Sequence, residues 1–189
     1  MCNIVNQKVL FLDKYNPERE VQRALSMSIK ASVQRNNLYS ENIRSGSQKR
    51  IEVGQIWREK LIEITKKYEN SISRDQYLED VVELKKFMNE TFDGHFNNNK
   101  FLSDPGLRLS HSQKSISVYL KHLWCIGKVK EPPCCPVDAI ILKRIGLKYP
   151  HNSWGKINQL QELEDKLNLI EKFASKNSLS VAQWELCNF

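Results

Sequence analysis

Along most of this chain the apolar residues recur at three- and four-residue steps, and that spacing limits what the chain can fold into more than any motif does. In residues 47–70 the apolar positions are Ile51, Ile56, Leu61, Ile62 and Ile64, with charges between them. Residues 73–92 repeat the pattern with Tyr77, Val81, Leu84 and Phe87, and residues 157–177 place Leu160, Leu163, Leu167 and Ile170 on one helical face. Residues 17–37 open on a proline followed by acids, the signature of a first helical turn. Residues 111–124, the stretch after Asp138 and residues 179–189 add shorter helices, and Ser73 and Ser180 stand where N-caps belong. Only the opening NIVNQKVLFL hints at strand alternation. Residues 93–110, rich in Gly, Asn, Asp and Pro, read as a loop and the main joint of the chain. The expected fold class is all-α.

Hydrophobic residues make up 40% and charged residues 27%, the balance of a chain that buries a core. Lys and Arg number 29 against 22 Asp and Glu, a net charge of +7, which suits a polyanionic partner such as nucleic acid. Asp13, Lys14 and Glu18 interrupt the first apolar stretch, and no run is long enough to cross a bilayer. A cytoplasmic protein with no membrane partner is expected. Five cysteines, an odd number, argue against a disulfide framework. His122, Cys125, Cys134 and Cys135 lie near one another, but without a C-x-x-C pair they favour buried thiols over a metal site. Neither a metal nor a cofactor is expected.

Two stretches carry candidate chemistry. Ser110, His111, Ser112, Gln113 and Lys114 collect at a helix start, where unpaired backbone N–H groups and the helix dipole attract phosphate. The apolar stripe behind them (Ile116, Tyr119, Leu120, Leu123, Trp124) reads as core, and Gly127 can end the helix just before Lys128 and Lys130. The second stretch is PPCCPVDAIILKRIGL, residues 132–147: a stiff approach, one aspartate, then a helix ending in Lys143, Arg144 and Gly146. Asp138 can cap that helix. The same carboxylate, fixed by a stiff loop, can also stabilise positive charge developing on a sugar. Either role fits the residues alone.

The order of these elements, with PVDAIILKRIGL matching closely and QKSISVYLKHLWCIG matching in pattern, resembles the core of the helix-hairpin-helix DNA glycosylases over residues 104–147. The resemblance implies a two-lobed all-α domain over residues 1–189, with central helices in 50–130 and terminal helices in 1–49 plus 131–189. It implies Asp138 as the essential carboxylate and Lys114 as the counterpart of a lysine that in some members attacks the sugar. Ser110, His111, Ser112, Gln113, Lys128, Lys130, Lys143 and Arg144 would grip the backbone of double-stranded DNA. Two features depart from the family. SDPGLRLSHSQK replaces the glycine-rich hairpin signature, and Lys114 and Asp138 stand 24 positions apart, a longer link than usual. The resemblance therefore weighs more on Asp138 than on Lys114 and implies a monomeric, monofunctional enzyme that releases a damaged or modified base, in repair or in defence against modified phage DNA. Two other readings explain parts of the same pattern: a non-enzymatic helical DNA-binding module with Asp138 as a cap, and a protein-interaction domain without a nucleic-acid role.

Overall fold

The computed structural model describes residues 2–33, 38–96 and 106–189 and is helical throughout these, with no strand beyond an isolated bridge between Tyr39 and Phe96. Eight α-helices are described: α1 (Ile4–Tyr15), α2 (Val21–Val33), α3 (Gln48–Thr65), α4 (Arg74–Thr91), α5 (Leu109–Ile126), α6 (Ala139–Arg144), α7 (Leu160–Lys176) and α8 (Val181–Asn188). Short 3₁₀ turns follow α3 and precede α7. Side-chain oxygens set several starts: Ser73 accepts from Gln76 N at 3.1 Å and Ser180 from Gln183 N at 3.1 Å.

The opening segment is the helix α1, not a strand. Asn3 caps it, accepting from Asn6 N at 3.2 Å. Val5, Val9 and Leu10 stay exposed while Phe11 and Leu12 are buried, so its apolar residues do not mark one face. That scatter is why spacing alone misreads it.

α5 is the axis of the molecule. It packs against α1, α2, α3, α4 and α7, and nearly all of its 18 residues are buried. A helix whose six residues after Leu109 are all polar can sit there because the side chains are small or find partners. Trp57 donates its indole N–H to Ser115 Oγ at 3.2 Å, and Tyr77 and Ser117 share a 2.6 Å hydrogen bond. Ile116, Leu120 and Leu123 face the main core with Trp57, Leu61, Leu84 and Leu163. The stripe read as core is therefore core. α2, placed among the terminal helices by sequence position, packs along α5 and α3.

A smaller cluster closes the C-terminal half of α5: Phe11 and Leu12 from α1, Trp124 from α5, and Ala182 and Leu186 from α8. A disulfide between Cys2 and Cys187 ties α1 to α8, with Cα atoms 6.3 Å apart. This corrects the expectation that the cysteines are unpaired. The pair joins the two ends of the chain, where no spacing rule brings cysteines together. Cys134 and Cys135 are the buried thiols expected, and burial raises both, Cys134 to about 12. Among the described residues no cluster of side chains could hold a metal ion, and no helix is long and apolar enough to cross a membrane.

Candidate active site

The proline-rich link carries the chain from the end of α5 back along its side to Asp138. Gly127 takes a left-handed φ of 86° and ends α5, as expected. The returning segment is then clamped by Gln113, whose amide donates to Val137 O at 2.7 Å and accepts from Val137 N at 3.1 Å. This two-point clamp holds the residue beside Asp138 against the first turns of α5. Stiff prolines at 132, 133 and 136 leave the approach little freedom.

Asp138 serves as a cap and as an ion-pair partner at once. Its Oδ1 accepts from Ile141 N at 2.9 Å, starting α6. Its Oδ2 meets Lys114 Nζ in a direct ion pair. The two side chains are only 6% and 10% exposed, so their attraction is little screened. Thus the 24-residue separation that weakened the pairing on sequence grounds places the ammonium on the carboxylate. Trp154 completes the constellation, with Lys114 Nζ 5.1 Å from its ring centroid. Trp57, Tyr119 and Trp124 are buried in cores, whereas Trp154 is half-buried.

The polar start of α5 is not open to a phosphate. Ser110, His111, Ser112 and Gln113 are fully buried. The first-turn N–H groups are taken within the protein: Leu109 N donates to Asn158 Oδ1 at 3.1 Å and Ser110 N to Ile157 O at 2.9 Å. Ser110 Oγ donates to Gly155 O at 3.1 Å. His111 Nδ1 accepts from Arg108 N at 3.2 Å, which requires a neutral ring, and burial beside Arg108 depresses its pKa to about 3. The four residues expected to grip DNA are thus buried within the protein. Leu109 and Ser110 find partners in residues 155–158, some 45 positions downstream, which no local pattern reveals.

The remaining basic residues divide. Lys128 and Lys130 are exposed beyond the far end of α5, about 20 Å along its axis from Lys114. Lys143 and Arg144 are exposed at the end of α6, one short helix from Asp138. Of the segment at the hairpin position, residues 103–114, the first three lie outside the described residues. Its one glycine, Gly106, has a φ of 100°, and a Cβ there would collide with the Asn89 amide. Asn89 brackets the next residue, accepting from Leu107 N at 2.7 Å and donating to Leu107 O at 2.9 Å.

Seven residues after Lys114, Lys121 forms a second buried pair, 2.9 Å from Glu185 of α8. Its ammonium lies 3.7 Å from the Phe189 ring centroid and 4.4 Å from that of Phe11. Burial raises the Glu185 carboxyl, opposed by Lys121. Beside it His122 is buried against Phe11, its Nδ1 without a hydrogen-bond partner, and its pKa is depressed to about 4. Comparison with known protein families, curated proteins and solved structures finds no match for the chain.

Proposed function

We propose that the protein is a DNA glycosylase of the helix-hairpin-helix type, with Asp138 as its essential carboxylate. The observation that carries this reading is the contact between Lys114 Nζ and Asp138 Oδ2. Two residues chosen for their places in a motif, far apart in sequence, meet in one nearly dry pair beside a half-buried tryptophan. A helix cap needs only the carboxylate and the N–H groups it accepts from. A buried lysine aimed at the same oxygen set is more than capping requires.

In the hydrolytic reaction the target base is turned out of the stack. The C1′–N bond breaks, its electron pair leaves with the base, and the sugar acquires oxocarbenium-like positive charge. Asp138 stabilises that charge and accepts the proton of the water that adds to C1′. The departing base takes up a proton from solvent. A second reading follows from the same contact. With Asp138 accepting its proton, Lys114 becomes a neutral amine that attacks C1′ as the base leaves with the C1′–N electron pair; the C1′–O4′ bond then opens, O4′ takes up a proton, and the resulting Schiff base leads on to strand cleavage.

The experiment is base release from duplex DNA carrying damaged and phage-type modified bases, with Asp138→Asn run beside the wild type. Breaks that need alkali and vanish in the variant support hydrolysis. Breaks before alkali, with a protein–DNA adduct trapped by borohydride and lost in Lys114→Gln, support the amine mechanism. Salt-sensitive DNA binding without release of any base in the panel favours a binding module, with Asp138 as a cap.

A further inference from the structure

α5 meets the returning link at two successive rungs: Gln113 holds Val137 and Lys114 holds Asp138, each pair 24 positions apart. In the first rung a side chain pairs with main chain. Gln113 Nε2 donates to Val137 O at 2.7 Å, and Gln113 Oε1 accepts from Val137 N at 3.1 Å. A primary amide carries a donor and an acceptor in one plane, so it answers both main-chain groups of one residue, as a neighbouring strand would. Gln113 and Val137 are both fully buried, where water does not compete for these bonds.

Little else holds the link at this point. Pro132, Pro133 and Pro136 have no N–H to give. Among the described residues, the main chain of residues 131–137 makes no hydrogen bond besides the two to Gln113. The nearest main-chain anchors on either side are Lys130 N, which donates to Tyr68 O at 2.9 Å, and the cap of α6 itself. Prolines stiffen the approach, but stiffness does not choose a register. A rigid segment could slide along α5 and carry Asp138 with it, and the amide prevents that slide.

The consequence falls on Asp138. Its oxygens are both committed, Oδ1 to Ile141 N at 2.9 Å and Oδ2 to Lys114, so the carboxylate follows wherever its backbone is placed. We propose that Gln113 is a positioning residue of this site: its amide keeps Asp138 in register with Lys114 and so fixes where the carboxylate stands when the sugar becomes positive. The proposal rests on the glycosylase reading and adds to it the group that places the essential carboxylate. Gln113 is sealed inside the protein, so it acts through Asp138 and touches neither backbone nor base of the DNA. Displacing a reacting group by about 1 Å costs on the order of 10²-fold in rate.

The test is single-turnover base release per folded molecule, on the duplex of the damaged-base panel that the wild type processes. Binding to a tetrahydrofuran abasic duplex is measured beside it. Gln113→Met keeps the bulk and removes both hydrogen bonds; its rate is expected to fall about 10²-fold while binding is unchanged. In an Asp138→Asn background the same change should cost nothing further, because a residue acting through Asp138 has nothing left to place. Gln113→Glu gives a second readout. Protonated, the glutamic acid donates to Val137 O and accepts from Val137 N; ionised, it only accepts. Its rate relative to the wild type is therefore expected to be highest near about pH 6 and to fall toward about pH 9, the range in which buried glutamic acids titrate. His111, two residues away, stays neutral throughout that range. Should Gln113→Met fail to fold, Gln113→Glu carries the test alone. A Gln113→Met rate near the wild type's, a full further loss in the Asp138→Asn background, or a Gln113→Glu ratio that does not move with pH overturns the positioning role and leaves the glycosylase reading in place. A wild type that releases no base from the panel overturns the glycosylase reading and this inference with it.

Discussion

Lys114 and Lys121 stand two turns apart on the same side of α5, and each meets a buried carboxylate, yet their surroundings differ in every other respect. The Lys121–Glu185 pair is closed in by Phe11 and Phe189, with α1 and α8 bound over it by the Cys2–Cys187 disulfide. Its partner is a helix-interior glutamate, and a small cavity lined by Lys121, Trp124, Cys135, Pro136 and Glu185 adjoins it. The Lys114–Asp138 pair sits at a helix start, beside a half-buried tryptophan, where the acid-free segment 139–161 begins. One pair thus joins two helices of the scaffold among phenyl rings, whereas the other stands where the chain turns into a stretch without acids.

Acid should have the largest effect on both regions together. His122 lies beside the sealed pair and His111 three residues from Lys114, with folded-state pKa values of about 4 and about 3 against 6.5 for an unperturbed ring. The unfolded chain therefore binds protons that the folded chain refuses below pH 6.5. Stability is lost as pH falls from there, by up to about 1.4 kcal/mol per pH unit for each ring. Glu185, raised by burial, works in the opposite direction. The melting temperature should fall steadily from pH 6.5 to pH 4, with a shallower slope in His122→Gln.

Glu185→Gln separates the regions. It leaves the Lys121 ammonium buried without a counter-charge and should cost roughly 3–5 kcal/mol in denaturant unfolding. Base release per folded molecule should be unchanged. Asp138→Asn should act on activity as well. Single-turnover base release is expected to drop by at least about 10²–10³-fold. Asparagine caps as well as aspartate, so α6 should persist, but Lys114 loses its partner and the melting temperature should drop measurably. A variant that melts lower and still releases base would assign both pairs to the scaffold. The smallest of these effects concerns the seal. Reducing the Cys2–Cys187 bond, or replacing Cys2 by Ser, should cost about 2–4 kcal/mol, read as a shift in the denaturant midpoint at constant activity.

Much of the helical fold is legible from residue spacing. α3, α4 and α7 keep most of their charges outward and so advertise their apolar stripes. Ser73 and Ser180 cap where a sequence rule places them. α1 escapes the rule because Val5, Val9 and Leu10 remain on the surface while the segment is held through Phe11, Leu12 and the disulfide.

The site divides in the same way. The identity of Asp138, its place at a helix start and the exposure of Lys143 and Arg144 follow from local pattern, because a cap and a polar helix end are short-range properties. The burial of Ser110–Gln113, the docking of residues 155–158 onto the start of α5 and the contact of Lys114 with Asp138 are decisions of tertiary structure. Each joins residues 24 or more positions apart through partners that any helix start or any lysine might have found. Local sequence determined which groups were available. Packing around α5 decided which of them were left facing one another.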